Sequence, residues 1–213
     1  MIFAIICSHS ILIPAILSLF RIKVVLKDFY PFIILLWLGL LNETISLAFL
    51  YTRQANAVNS NIFTLLEFLL ILYQFYRWSE RRPLEYLMIA ILGIGVWVAD
   101  NLGLNSITQN NSLFRVVYSM TVLFLCLAQI ASIVIFQDRW FKGNAVFLIC
   151  ITFIFFYTFK AWVESFNMVH LGLSETFLST LWPILNLVDL ITNLLLALAV
   201  LWMPTKKRFF IYY

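Results

Sequence analysis

Charged residues are scarce in this sequence. They make up 11% of its 213 residues, whereas apolar residues make up 63%. A typical soluble domain carries about 25% charged residues. The mean hydropathy of +0.98 is also far above the range of soluble domains. This composition excludes a soluble globular protein and indicates a polytopic membrane protein.

Histidine and cysteine are also few, which limits the possible chemistry. With only His9 and His170, a three-histidine zinc site cannot form. Cys7, Cys126 and Cys150 all fall in apolar runs, where free cysteine behaves as a small hydrophobe, so no disulfide framework is expected. The sequence contains no CxxC, HExxH or glycine-rich phosphate loop. We therefore predict no cofactor, and the absences favour a non-enzymatic role.

Seven apolar runs are separated by short polar segments. Each is close to the ~20 residues that a helix needs to cross a bilayer. The predicted helices span 2–20, 29–51, 61–78, 84–103, 112–136, 144–169 and 176–202. Since no Lys or Arg precedes the first run, we interpret it as a retained spanning helix and not a signal peptide. The predicted fold class is all-α, a single seven-helix transmembrane domain without a soluble domain.

The basic residues lie on alternate connections between these helices. One side carries most of the 14 Lys and Arg residues, namely Arg21, Lys23, Lys27, Arg77, Arg81, Arg82, Arg139, Lys142, Lys206, Lys207 and Arg208. The opposite loops carry only Arg53. The positive-inside rule then places the N-terminus outside and the C-terminus in the cytoplasm of a cell inner (plasma) membrane. This arrangement explains the net charge of +4 without a nucleic-acid partner.

The two remaining basic residues, Arg115 and Lys160, fall inside the predicted helices. Lys160 lies in the segment Tyr157–Glu164, and Glu164 is one helical turn further along. A charged side chain within a bilayer is costly unless it finds a counter-charge or water, and such residues often mark functional sites. We therefore expect Lys160 to contact a carboxylate, either Glu164 or Glu67. Arg115 should pair with another acid, for which Asp100 is the candidate.

Helical spacing places the embedded polar residues on shared faces. A rise of about 1.5 Å per residue puts most of them in the outer half of the bilayer, with Asp189 deeper. Because lipid cannot satisfy these faces, they should converge on a polar pocket for a small ligand or cation. The predicted ligand-binding residues are Glu43, Glu67, Asp100, Arg115, Lys160, Glu164, Asn186 and Asp189. No metal site is predicted, although His9, Glu43 and Glu67 are the nearest candidates for metal ligands.

Two further patterns concern symmetry and association. The segment Thr64–Glu67 of the third helix resembles Asn186–Asp189 of the seventh, which suggests a 3+1+3 parallel repeat of the kind found in small transporters. Gly95, Ala99 and Gly103 form a small-xxx-small ladder on the fourth helix. Packing within the chain is the preferred interpretation of this ladder, and a homodimer face is the alternative.

The segments 61–68 and 186–207 resemble parts of small bacterial seven-helix integral membrane proteins of unassigned function. They are also similar to membrane regions that precede sensor kinases. The resemblance covers about two helices and implies a sensory or signalling role. Because only a short tail follows the last helix, signalling is expected to need a separate membrane partner.

Three functions are therefore considered. The leading prediction is a membrane sensor that binds a small ligand or cation in the pocket. The alternative is a small secondary transporter, which could be proton-coupled, in which Asn186 and Asp189 take the substrate deeper. The third is a lipid-modifying enzyme embedded in the membrane, with Glu43 and Glu67 as acid and base.

Overall fold

The computed structural model describes residues 2–79, 83–136, 143–168 and 175–205. Within these ranges the chain is helical and contains no β-strand. The helices are α1 (Ile2–His9), α2 (Leu12–Arg21), α3 (Tyr30–Thr52), α4 (Ala57–Trp78), α5 (Pro83–Val98), α6 (Ser112–Phe136), α7 (Ala145–Met168) and α8 (Glu175–Trp202). The residues used above that lie outside the described ranges are Arg81, Arg82, Arg139, Lys142, Val169, His170, Lys206, Lys207 and Arg208.

The prediction of an all-α protein with seven possible spans is confirmed. Among the described residues, seven helical segments are long and apolar enough to cross a membrane. They are Phe3–Arg21, Lys27–Thr52, Ala57–Trp78, Pro83–Leu104, Ser112–Ile135, Ala145–Met168 and Pro183–Trp202. Many large apolar side chains on these segments are exposed, as expected for a surface that faces lipid.

The first span is interrupted at Ser10, where one continuous helix was predicted. Pro14 has no backbone N–H and cannot bond to the Ser10 carbonyl four residues earlier. Ile13 donates to that carbonyl instead, at 3.0 Å. The Ser10 hydroxyl in turn accepts a hydrogen bond from the side chain of Asn193 on α8, at 2.9 Å. The break between α1 and α2 is thus held against α8.

The helix α4 begins at Ala57, earlier than predicted. The residues just before the predicted start at position 61 were assigned to a loop because that segment is polar. The structure shows that their side chains reach across to α3: Asn56 donates to Ser46 at 2.8 Å, and Asn59 donates to Asn42 at 3.0 Å. Polar residues at the start of α4 therefore join it to α3, and composition alone did not reveal this.

Among the residues that the structure describes, the small-residue ladder does not pack against another helix. Gly95, Ala99 and Gly103 are exposed, and a Cβ added at either glycine would meet no atom within 4 Å. The preferred interpretation of this ladder was therefore wrong. α5 instead approaches α4 through Gly93, which is buried against the ring of Phe68. A homodimer through the exposed ladder stays a prediction.

We expect Gly93→Ala to destabilise the protein, whereas Gly95→Ala should be neutral or slightly stabilising. A Cβ at position 93 would overlap the Phe68 ring, whose Cζ would lie 2.6 Å away. That ring is held by edge contacts with Phe114 and Tyr118, so it cannot move freely. Overpacking of this kind costs about 1–3 kcal/mol. The melting temperatures of the two purified variants in one detergent test this, and equal values would contradict it.

Candidate functional site

A cavity of about 350 Å³ lies among α1, α3, α4, α6, α7 and α8. Arg115 stands in the first turn of α6 and Glu164 near the end of α7, which places the cavity towards this end of the two helices. Of the predicted ligand-binding residues, all except Asp100 line it, namely Glu43, Glu67, Arg115, Lys160, Glu164, Asn186 and Asp189. The convergence of polar faces that the helical spacing predicts therefore exists in the structure.

Glu67 is the most heavily bonded acid in the cavity wall. Its Oε2 accepts hydrogen bonds from the Tyr118 hydroxyl at 2.6 Å and from Lys160 Nζ at 3.2 Å. Its Oε1 accepts a bond from the Tyr157 hydroxyl at 3.1 Å. The prediction that Lys160 contacts a carboxylate is confirmed, with Glu67 as the partner. This group joins α4, α6 and α7.

Lys160 is further stabilised by aromatic rings. Its Nζ lies 4.9 Å from the ring centroid of Tyr118, 5.4 Å from that of Phe156 and 5.5 Å from that of Tyr157. It also hydrogen-bonds the Tyr118 hydroxyl. The negative faces of aromatic rings attract a cation, so the ammonium group is held by both a carboxylate and π-systems.

Arg115 forms a second ion pair in the same cavity. Its Nη1 donates to Glu164 Oε1 at 3.0 Å, and Ser112 donates to the other oxygen of Glu164 at 2.6 Å. Its Nη2 donates to the side-chain oxygens of Ser60 and Asn61, at 2.9 and 3.1 Å. A single guanidinium therefore links α6 to both α4 and α7, which uses the fork geometry of arginine.

The expected pairing of Arg115 with Asp100 was wrong. Asp100 is fully buried and accepts the backbone N–H of Phe114 at 2.8 Å and the side chain of Asn105 at 2.9 Å. Phe114 lies in the first turn of α6, where backbone donors lack partners within the helix. Asp100 thus caps α6 from the π-helical turn Ala99–Leu104, and the structure does not bring it into the cavity.

The other two acids of the cavity have no counter-charge. Glu43 on α3 and Asp189 on α8 are half-buried, and neither forms an ion pair with a described residue. Glu43 accepts a long hydrogen bond from Asn42, at 3.4 Å. Both acids lie within electrostatic range of each other and of Lys160. Glu43 is also within electrostatic range of His9. Among the described residues, the α3–α8 side of the cavity therefore holds two acids that have no ion-paired base.

Sequence reasoning missed the two tyrosines that bind Glu67. Both are almost fully buried, with 1% of each residue exposed. Their spacing contained a signal, because Tyr118 follows Arg115 by three residues and Tyr157 precedes Lys160 by three. Residues three apart on a helix share a face. The sequence analysis assigned no role to either tyrosine, although a buried tyrosine can both pack in a core and donate a hydrogen bond.

The candidate metal ligands are not gathered together. His9 Nδ1 lies 3.0 Å from the Ile5 carbonyl and 3.1 Å from the Ser8 hydroxyl, and His9 does not line the cavity. Glu67 is occupied by Lys160 and the two tyrosines. Across the described part of the chain, no three His, Cys, Asp or Glu side chains lie close enough to hold a metal ion.

Comparisons of the chain with protein-family models, with curated proteins and with solved structures find no match.

Proposed function

We propose that this chain is a multi-pass protein of the cell inner membrane that binds a small polar ligand in the cavity and acts as a membrane sensor or signalling component. The observation that carries the proposal is the cavity itself, which gathers two ion pairs and two unpaired acids from five helices. Ionisable groups at membrane depth are expensive, and they usually serve a site or pathway.

The two ion pairs offer a route from ligand binding to helix movement. Both include a residue of α7: Lys160 pairs with Glu67 on α4, and Glu164 pairs with Arg115 on α6. A ligand that competes for either pair changes the contacts that position α7. A ligand shifts an equilibrium only by its difference in affinity for two states, and exchange of an ion pair supplies such a difference.

The membrane orientation completes the proposal. With the basic connections in the cytoplasm, the cavity lies in the outer half of the bilayer and receives its ligand from outside. A separate membrane protein would then carry the signal onwards, and the exposed ladder of Gly95, Ala99 and Gly103 would serve for association with a partner or a second copy of the chain. Labelling of engineered loop cysteines with an impermeant maleimide in whole cells tests the orientation.

The proposal is tested by ligand-dependent stabilisation of the purified protein. The probes are ions, small amines, small carboxylic acids and neutral alcohols, applied to wild type and to Asn186→Phe, which fills the cavity. The matched control is Leu187→Phe, because the neighbouring Leu187 is exposed and does not line the cavity. A ligand at a hundredfold excess over its Kd should stabilise wild type and the control by about 2.7 kcal/mol.

Asn186→Phe should abolish this stabilisation. If no probe stabilises the wild type, or if Asn186→Phe responds as strongly as Leu187→Phe, the cavity is not a ligand site and the proposal is withdrawn.

A small secondary transporter is the second candidate. Asn186 and Asp189 lie on the same face of α8, both line the cavity, and Asp189 forms no ion pair with a described residue. Thr64 and Glu67, the other half of the suggested repeat, line the same cavity. Solute uptake into proteoliposomes separates the two functions. A transporter moves the stabilising ligand and loses uptake in Asp189→Asn, whereas a sensor binds the ligand and moves none of it.

A further inference from the structure

The described charges of the cavity do not balance. Four carboxylates line it, namely those of Glu43, Glu67, Glu164 and Asp189, against the two bases Arg115 and Lys160. Each base already pairs with its own acid at 3.0 or 3.2 Å. A buried charge is costly unless it is paired and hydrogen-bonded. The α3–α8 side therefore favours an occupant with positive charge and disfavours an anion.

A second, independent feature of the same wall is an unused hydroxyl. Thr192 lines the cavity one turn after Asp189 on α8, and only 4% of the residue is exposed. Its Oγ1 has no hydrogen-bond partner in the described part of the chain. Buried polar atoms are almost always bonded to protein or to water, so an unbonded hydroxyl facing a cavity indicates a site for an external polar group. Glu43, Asp189 and Thr192 together offer two carboxylates and one hydroxyl as oxygen acceptors.

The rest of the lining is mixed, and its polar residues are Ser8, Asn42, Ser60, Thr64, Tyr157, Asn186 and Asn193. Its apolar part consists of Ile11, Leu35, Leu36, Phe63, Phe153, Phe156, Leu185 and Leu196, together with Gly39. A bare inorganic ion makes no use of such a surface. The volume of about 350 Å³ also lies at the small end of pockets that hold organic ligands. These properties fit an occupant with a charged head and a compact hydrocarbon body.

We propose that the α3–α8 side of the cavity binds the ammonium group of a small amphipathic amine, with Glu43, Asp189 and Thr192 as acceptors and the apolar wall around its hydrocarbon part. An ammonium group has three N–H donors and no acceptor, which matches the two carboxylates and the acceptor lone pairs of the Thr192 hydroxyl. The aromatic rings of the wall add cation–π attraction. This inference rests on the proposed function and specifies its ligand class.

The experiment uses three probes of nearly equal shape: phenethylammonium, phenethyl alcohol and 3-phenylpropionate. Binding to the full chain in detergent is measured by saturation-transfer NMR and by the shift in melting temperature, at constant ionic strength set with NaCl. We expect the ammonium probe to bind at least about tenfold more tightly than the other two, since one such charge-assisted contact is commonly worth a factor of ten or more. Equal affinity for all three probes, or preference for the carboxylate, overturns the inference.

The variants Asp189→Asn and Glu43→Gln test the acceptors. Asp189→Asn and Glu43→Gln should each weaken the ammonium probe by about tenfold or more, and leave the weak alcohol binding unchanged. The matched control is Glu85→Gln on α5, an exposed carboxylate that does not line the cavity. Unchanged ammonium affinity in Asp189→Asn and Glu43→Gln overturns the inference.

The variants also report on folding without any ligand. Because Asp189 has no bonded partner among the described residues, Asp189→Asn should retain or exceed the melting temperature of wild type. If that variant fails to fold, Asp189 has a structural bond that the proposal denies, and the proposal fails. Stabilisation by NaCl alone, to the same extent as by the ammonium probe, would assign the site to an inorganic cation and would also overturn it.

Failure of this inference is distinguishable from failure of the proposed function. If the alcohol or the carboxylate binds and Asn186→Phe abolishes that binding, the cavity is a ligand site with another ligand class. If no probe binds and Asn186→Phe changes nothing, both proposals fail.

Discussion

Lys160→Met is expected to lower the free energy of unfolding by about 3 kcal/mol, because it leaves the Glu67 carboxylate buried without its counter-charge. The side chains of Lys160 and Glu67 are only 14% and 11% exposed. The carboxylate keeps the hydroxyls of Tyr118 and Tyr157, which places the loss at the lower end of the 3–5 kcal/mol typical of broken buried pairs. Titration with SDS in mixed micelles measures this change in the free energy of unfolding.

The double variant Lys160→Met/Glu67→Gln should be more stable than Lys160→Met alone. Gln at position 67 removes the unpaired charge and still offers an oxygen to a tyrosine hydroxyl. Coupling between contacting residues commonly amounts to about 0.5–3 kcal/mol, so the recovery should be measurable. Simple addition of the two single losses would show that the pair is not coupled.

Arg77→Met provides the matched control. Arg77 pairs with Asp28 at 2.5 Å, but its side chain is 37% exposed and that of Asp28 is 50% exposed. Solvent screens such a pair, and exposed ion pairs contribute little to stability. We therefore expect a small change in this variant, and a loss as large as that of Lys160→Met would mean that burial is not the cause.

The second large effect concerns the shape of a cation and not its charge. Arg115→Lys should lose nearly as much stability as Arg115→Met, about 3 kcal/mol, although it keeps the positive charge. Nη1 of Arg115 bonds Glu164, while Nη2 bonds Ser60 and Asn61 in a different direction. A lysine is a single point charge and cannot span these partners. The same micelle titration tests this.

Two comparisons sharpen the test. Arg77→Lys should be well tolerated, because its partner Asp28 is exposed and water can replace lost bonds. Glu164→Gln should destabilise less than Arg115→Met, since the amide oxygen of Gln can still accept from Arg115 while its N–H group donates to the Ser112 hydroxyl. If Arg115→Lys retains the stability of wild type, charge alone holds α6 against its neighbours, and the fork geometry has no energetic role.

The local features of this protein can be inferred from the sequence. The length of the apolar runs decides the number of spanning helices, because a bilayer demands about 20 residues per crossing. Helical periodicity then decides which residues share a face, and it correctly gathers Glu67, Lys160, Glu164 and Asp189. The energetic cost of an isolated charge also predicts that Lys160 is paired.

The identity of each partner depends on the tertiary structure. Glu164 lies one turn from Lys160 on α7 and was the local candidate, yet it pairs with Arg115, while Lys160 pairs with Glu67. Asp100, the predicted partner of Arg115, caps α6 instead. Periodicity specifies the face of one helix, but pairing across helices depends on their relative rotation and on how far each is shifted along its axis. Those quantities are decided by side-chain packing over the whole bundle, so no single segment of sequence contains them.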